Sequence, residues 1–412
     1  MALIVQKFGG TSVASVERIK EIAKRVAKTR EEGNDVVVVL SAMAGETTRL
    51  IDLAKEAGSP VEGGREFDVV VSTGEQVTIG LLAIALKAMG IDAVSMLGLQ
   101  VPILTDSGHS SARIVKIGIA NIVNVIKSGS VVVIAGFQGV DSEGNITTLG
   151  RGGSDTSAVA IAAAIEADLC EVYTDVEGVF TTDPNICPEA RKIKKISYDE
   201  MLEMAGLGAK VLQTRSVEFS RKYSVPLMVR SSFSEKEGTL VTKEDEDMEK
   251  AAVAGIAYNK NEAKISVVRV PDKPGVAVEL FRPLSEANIN VDMIVQNISH
   301  EGFTDMTFTV PKGDYGRALK LVKETAIKLD AKEVTGSESI TKISVVGAGM
   351  KSHAGVATKV FEVLSSEDIN IEMISTSEIK ISCVIDEAQT ERAVKTLHKA
   401  FELDKEDVGE EK

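Results

Sequence analysis

Through about residue 230, near-continuous apolar runs alternate with segments of helical spacing. Val36 to Leu40 is continuously apolar, the mark of a parallel strand buried on both faces, Val131 to Ala135 and Leu169 to Tyr173 read as buried strands, and Ala2 to Val5 and Ile91 to Leu97 as further strands. Between them lie helical patterns. Val16, Ile19, Ile22 and Val26 recur at helical intervals and Gly33 closes that helix; Leu50, Ile51 and Leu53 mark a second. Asp68 to Val71 begins the next strand–helix unit, and Ser72-Thr73-Gly74-Glu75 opens a long helix that ends at Gly90. Thr156 to Ile165 reads as a helix of small apolar residues, and Val225 to Val229 as the last strand. Strands alternating with helices over this length predict a mainly parallel α/β sheet between two helical layers, a three-layer αβα sandwich.

The pattern changes after a charge run, Lys243-Glu244-Asp245-Glu246-Asp247-Met248-Glu249-Lys250, which reads as a solvated linker. Lys264-Ile265-Ser266-Val267-Val268 recurs as Lys342-Ile343-Ser344-Val345-Val346, and Gly275-Val276-Ala277 as Gly355-Val356-Ala357. Asn288-Ile289-Asn290 recurs as Asp368-Ile369-Asn370, and Met293-Ile294 as Met373-Ile374. The offset grows from 78 to 80, so two collinear copies differ by a two-residue insertion. The period is too long for a solenoid repeat. Each copy reads strand, helix, strand, strand, helix, a small α+β unit. The expected organisation is a large domain over residues 1–244, a linker over 245–262, and the two copies over 263–341 and 342–412, the last ending in an acidic tail from Asp404.

Composition narrows the class. The 412 residues carry a formal charge of -14, which argues against nucleic-acid or anionic-membrane partners. Three cysteines, Cys170, Cys187 and Cys383, are far apart, and four histidines form no cluster, so neither a disulfide framework nor a protein-held metal is expected. Met1 to Lys7 lacks the make-up of a signal peptide, and no apolar run approaches membrane-spanning length. The expected location is the cytoplasm.

The candidate chemistry sits where strands meet helices. Thr147-Thr148-Leu149-Gly150-Arg151-Gly152-Gly153-Ser154-Asp155 joins a buried strand to a helix. Its glycines let backbone approach a ligand, and Ser154 or Asp155 is a natural N-cap. Arg151 can grip a carboxylate or phosphate, and Asp155 can hold an ammonium, so both signs within five residues suit a zwitterion. No Lys follows the last Gly, as a P-loop needs, and Asp155 stands where a dinucleotide fingerprint has its third Gly. Near the N-terminus, Lys7-Phe8-Gly9-Gly10-Thr11-Ser12 puts a cation beside paired glycines, a plausible phosphate cradle. Ser41 and Thr47 follow the second strand, at the end where ligands of open α/β sheets sit. Glu75 falls in a helix's first turn. Thr174-Asp175, continuing to Phe180 and Thr181-Thr182-Asp183-Pro184, is a hydroxyl- and acid-rich loop suited to a nucleotide's ribose and base edge. Lys210 is a second cation able to fold back on phosphates.

In their joint order these segments resemble the aspartate kinases of the amino-acid kinase superfamily, followed by two ACT modules. The Lys7 to Ser12 segment matches the opening signature of that family, and the likeness spans nearly the whole chain. The resemblance implies an amino-acid kinase sandwich followed by two ferredoxin-like α+β domains. It implies transfer of the ATP γ-phosphate to the β-carboxylate of L-aspartate, with Mg²⁺ held mainly by the nucleotide. Lys7, Gly9, Gly10 and Lys210 would face the phosphates, with Thr174, Asp175, Phe180 and Asp183 lining the nucleotide pocket. Ser41, Thr47, Glu75, Arg151, Ser154 and Asp155 would bind aspartate, with the ammonium on Glu75 or Asp155. Two positions depart from relatives: Phe180 where some carry Tyr, and Asn185 where many carry Arg. ACT modules imply feedback by lysine, threonine or both, early in the synthesis of aspartate-derived amino acids. The effector positions would be Asp272, Gly275, Ala277, Asn290, Asp292 and Gln296 in one copy, with His353, Ala354, Asn370 and Ile371 in the other. A homo-oligomer through the ACT modules is expected, as is a short second subunit started near Met248. A kinase for glutamate or carbamate, or a sensor without activity, would share the architecture.

Overall fold

The computed structural model describes residues 1–58, 63–206, 211–245, 248, 251–298 and 301–405. Its chain divides into two compact units. The first takes Met1–Val179, Lys192–Ala205 and the segment ending at Met248; the second takes Phe180–Arg191, Gly206 and the chain beyond Met248.

The first unit opens with β1 (Leu3–Phe8), α1 (Val16–Glu31), β2 (Asp35–Leu40), α2 (Glu46–Glu56), α3 (Arg65–Val71) and α4 (Thr73–Ala88). It continues through β3 (Ala93–Met96), β4 (Ile103–Thr105), β5 (Ile114–Ile117), α5 (Ala120–Lys127), β6 (Val131–Ala135), β7 (Gln138–Val140) and β8 (Ile146–Thr148). Then come α6 (Gly153–Ala164), β9 (Leu169–Thr174), β10 (Lys195–Ser197), α7 (Tyr198–Gly206), α8 (Thr214–Tyr223), β11 (Leu227–Ser231) and β12 (Thr239–Thr242). Eight strands form one sheet in the order β10-β12-β11-β9-β1-β2-β6-β3, parallel except between β11 and β12.

The two-residue strand period decides which layer each side chain joins. Val36, Val38 and Leu40 pack with Ile19, Ile22 and Val26 of α1 and with Ile79, Leu82 and Leu86 of α4. Val37 and Val39, equally buried, face the other way, and α6 packs on β1, β2 and β9. That is the αβα sandwich. A small sheet, β5-β4-β7-β8, is added beside it.

Two expectations change. Asp68 to Val71 is the end of α3, running straight into α4, because a run of three valines carries no period that separates helix from strand. The strand near Val225–Val229 is not the last: β12 follows and lies antiparallel against β11. Arg65–Ala88 is long and apolar enough to cross a membrane, yet half of its most apolar window is buried in the unit, as in a core helix.

The second unit holds β13 (Gly255–Asn259), β14 (Glu262–Pro271), α9 (Val276–Glu286), β15 (Ile294–Ile298), β16 (Phe303–Pro311), α10 (Tyr315–Lys328) and β17 (Glu333–Ser337). The second copy follows with β18 (Ile340–Val346), α11 (Val356–Ser366), β19 (Met373–Thr376), β20 (Lys380–Asp386) and α12 (Thr390–Ala400). Each copy is a four-stranded antiparallel sheet, β15-β16-β14-β17 and β13-β18-β20-β19. The fourth strands differ in origin. β17 follows the first copy's own helix, whereas β13 reaches the second copy from inside the stretch expected to be linker, where Ile256 and Ala257 are buried.

The duplication shows again in charge. Lys264 pairs with Glu372 at 2.5 Å, and Lys342 pairs with Asp292 and, at 3.3 Å, with Glu262. Lys342 is the counterpart of Lys264 and Glu372 the counterpart of Asp292, so each copy's lysine meets the other copy's acid. That reciprocity is the mark of two like modules facing each other about an approximate two-fold axis.

Candidate active site

β1 runs through Lys7 and Phe8 before the chain breaks at Gly9. The Gly9 N–H donates to the Tyr173 carbonyl (3.3 Å), and Ser12 N–H to the Gly9 carbonyl (2.9 Å), folding the loop tightly over the ends of β1 and β9. A side chain on Gly10 would come within 3.1 Å of the Ala42 carbonyl oxygen. Ser15 then caps α1, accepting from the Arg18 N–H at 3.3 Å. Lys7, only 8% exposed, forms an ion pair with Asp155 of α6.

Asp155 is placed by the glycines before it. Gly152, not Ser154 or Asp155, is the N-cap of α6, with φ 70°; a Cβ there would fall 2.1 Å from Gln213 Cγ. Ser154 and Asp155 therefore sit inside the first turn, where the helix dipole favours a carboxylate. Gly150, φ 76°, turns the chain so that Arg151 stands exposed, with no ion-pair partner among the described residues.

These elements enclose a cavity of about 300 Å³ lined by Lys7, Gly10, Ser41, Thr47, Glu75, Arg151, Ser154 and Asp155 among others. All six positions expected to contact aspartate thus share one cavity with one lysine and one glycine of the phosphate loop. Gly45, Phe137 and the Ala42–Ala44 backbone line it too, though none was expected. Gly45 (φ 81°) was visible in the segment between Ser41 and Thr47 as a residue able to turn left-handed. Phe137 (φ 68°) carries no sequence signal for that conformation.

Glu75 is the electrostatic centre of the cavity. It is 2% exposed, its Oε1 accepts from the Ala42 N–H at 3.0 Å, and its Oε2 has no hydrogen-bond partner among the described residues. Burial pushes its pKa up to about 7. An incoming cation would meet a carboxylate lacking a counter-charge. Asp155 already has Lys7. The site therefore offers a free guanidinium, a buried acid without a counter-ion and a paired Lys–Asp, with backbone N–H groups at the start of α6 for an anion.

The other expected positions fall on other segments of the chain. Thr174 ends β9 beside the glycine loop, its hydroxyl donating to Asp175 (3.0 Å) and its carbonyl accepting from Ser232 N–H (2.8 Å). Phe180 and Asp183 belong to the second unit. There Asp183 accepts from the Tyr258 hydroxyl (2.8 Å) and from the Asn185 N–H (2.9 Å), and Thr181 meets His398 Nε2 at 2.9 Å. Lys210 lies outside the described residues.

Among the expected effector residues, Asp272, Gly275, Ala277 and Gln296 surround a cavity of about 320 Å³ at the start of α9. Asp292 is taken by Lys342, and Asn290 and Asn370 are exposed. Ile371 packs against the apolar core of the second copy. His353 Nδ1 lies 2.8 Å from the Gly349 carbonyl, and Ala354 is exposed beside it.

The amino acid kinase family profile matches residues 2–231, and ACT domain profiles match residues 265–326 and 343–401. An aspartate kinase of Stutzerimonas stutzeri is 59% identical over 406 residues, 98% of either chain. Among solved structures, Escherichia coli aspartokinase III in complex with aspartate and ADP (R-state) is 26% identical with a TM-score of 0.77, covering 97% of this chain and 99% of that one. The same enzyme in complex with lysine and aspartate (T-state) has a TM-score of 0.76 at 26% identity, over 97% and 99% of the two chains.

Proposed function

The chain belongs to the aspartate kinases of the amino acid kinase family, and on that premise we propose how its cavity carries out the reaction. L-aspartate enters with one carboxylate on Arg151 and its ammonium on Glu75. Lys7, the Gly9–Gly10 loop and the start of α6 receive the ATP phosphates. A β-carboxylate oxygen attacks the γ-phosphorus, the bond to the ADP oxygen breaks, and 4-phospho-L-aspartate leaves. The carboxylic acid, of pKa about 3.9, is already ionised at neutral pH, so no general base is required. Catalysis is then alignment and neutralisation of charge.

The observation that carries the choice of residues is Glu75, a buried acid with no counter-charge in the cavity that Arg151 borders. Asp155 is less suited to the ammonium, since Lys7 already holds it. Asp155 instead keeps Lys7 aimed until phosphate arrives. Among the described residues no three His, Cys, Asp or Glu side chains gather as a metal site would. Mg²⁺ would be carried by the nucleotide's phosphates, where it would supply further neutralisation of charge. The second unit would sense lysine, threonine or both at the cavity around Asp272 and Gln296, and a differential affinity between two conformations would be the means. The enzyme would act in the cytoplasm as a homo-oligomer, at the head of the aspartate-derived amino acids, with a short subunit started near Met248.

The test is incubation with Mg²⁺-ATP, aspartate and hydroxylamine, with and without lysine plus threonine. Hydroxamate that forms with aspartate and falls when the two amino acids are added supports both parts. Unchanged hydroxamate removes the regulatory part, and hydroxamate from glutamate alone removes the substrate.

A further inference from the structure

Asp68 stands in α3, fully buried, and takes no part in the chemistry above. Its carboxylate nevertheless gathers donors from two other segments. Thr148 gives its N–H to Oδ2 (2.9 Å) and its hydroxyl to Oδ1 (2.7 Å). Ser110 gives its N–H to both oxygens (3.1 and 3.0 Å) and its hydroxyl to Oδ1 (3.2 Å). His109 Nδ1 lies 3.0 Å from Oδ2. A buried carboxylate with this many donors is held in one geometry, since charge-assisted bonds are shorter and stronger than neutral ones.

The two segments it ties are the walls of one turn. Thr148 is the end of β8, and the chain then passes through Leu149 and Gly150 to Arg151. Ser110 is the other wall, in a left-handed conformation (φ 65°) unusual for a residue with a side chain. Its carbonyl oxygen lies so near Gly150 that a Cβ there would approach to 2.9 Å. The walls are also joined directly, Ala112 N–H donating to the Thr148 carbonyl (2.9 Å). Arg215 closes the far side, donating to the Leu149 and Ala112 carbonyls, each at 2.9 Å. None of these bonds reaches the Gly9–Gly10 loop.

We propose that Asp68 is the positioning residue of the Arg151 turn, setting the guanidinium against the substrate carboxylate through Thr148 and Ser110 without touching the substrate. The proposal rests on Arg151 binding aspartate. It predicts a loss confined to one substrate, because the carboxylate braces the aspartate side of the cavity and not the phosphate loop. In Asp68→Asn the amide turns an N–H toward groups that are themselves donors, so at least one of them loses its acceptor.

The experiment measures KM for aspartate and for ATP in Asp68→Asn, Arg151→Gln and the double variant, with hydrogen exchange of the β2 amides as a check on folding. Expected are a rise of roughly tenfold or more in KM for aspartate, KM for ATP within about twofold, and little further loss when Asp68→Asn is added to Arg151→Gln. If Asp68→Asn does not fold, Thr148→Val takes its place in the cycle; it removes one hydroxyl donor and keeps the backbone bond. Multiplicative losses in the double variant would overturn the proposal while leaving the role of Arg151 intact. Equal rises in both KM values would overturn it as well, since they mark a general loss of structure. An unchanged KM for aspartate in Arg151→Gln would remove the role of Arg151, and the positioning role with it.

Discussion

Replacing Glu75 by Gln separates what the cavity costs the fold from what it gives the substrate. The carboxylate is 2% exposed, and burial lifts its pKa from the ordinary 4.5 to about 7. Between those values the folded protein keeps a proton that the unfolded chain has lost, so stability falls as pH rises through that window. The cost is absent below about pH 4.5, complete above about pH 7, and worth roughly 3 kcal/mol at about 1.4 kcal/mol per pKa unit. Glutamine keeps the shape and the acceptor for the Ala42 N–H without the charge. Glu75→Gln is therefore expected to stabilise the first unit by up to roughly 3 kcal/mol at pH 8.5 and hardly at all near pH 4.5. Hydrogen exchange of β2 and α4 amides reports that unit by itself. The same variant should raise KM for aspartate by roughly 10- to 100-fold, the loss of a charged hydrogen-bond partner. No stability gain at pH 8.5, or the same gain at both pH values, would refute the buried-charge argument. A gain in stability with an unchanged KM would instead move the ammonium elsewhere.

In the unmodified enzyme, KM for aspartate should rise about tenfold from pH 8 to pH 6, as Glu75 protonates and the binding-competent fraction shrinks; a flat profile counts against the ammonium contact. Lys7→Met should lower kcat by roughly a thousandfold, the scale of a lost charge on a transferring phosphoryl group, in a steady-state ADP assay. Gly152→Ala forces a side chain into a left-handed position already filled by Gln213, and should cost roughly 1–3 kcal/mol by denaturant unfolding. Tyr258→Phe removes one hydrogen bond to Asp183, and should destabilise the second unit by about 1 kcal/mol, read from exchange of the β13 amides.

Much of this architecture is legible in the sequence because its strands are apolar on both faces. Val36–Leu40 and Val131–Ala135 announce a central parallel sheet without help from their neighbours. The duplicated Lys264 and Lys342 segments likewise announce two like modules. What escapes is structure decided at a distance. β13 is a strand only because β18, more than eighty residues later, pairs with it, and its five residues carry no signal of that partner. Asp68–Val71 joins a helix because α3 and α4 are continuous, which three valines do not reveal. Ser41, Thr47, Arg151, Ser154 and Asp155 were readable because each follows a strand end in a glycine- or hydroxyl-rich segment, and Glu75 because Ser72-Thr73-Gly74 marks the helix start before it. Asp68 was not readable, since its role comes from Ser110 and Thr148, forty-two and eighty residues away.

The most direct test of the account uses aspartate labelled with oxygen-18 in its β-carboxylate, with Mg²⁺-ATP and hydroxylamine. Attack by the carboxylate leaves its own oxygen bridging to phosphorus, and hydroxylamine then releases that oxygen with the phosphate. One labelled oxygen is expected in each phosphate released with hydroxamate. Unlabelled phosphate would mean that water, not the substrate held between Arg151 and Glu75, is the nucleophile, and the proposed reaction would fall.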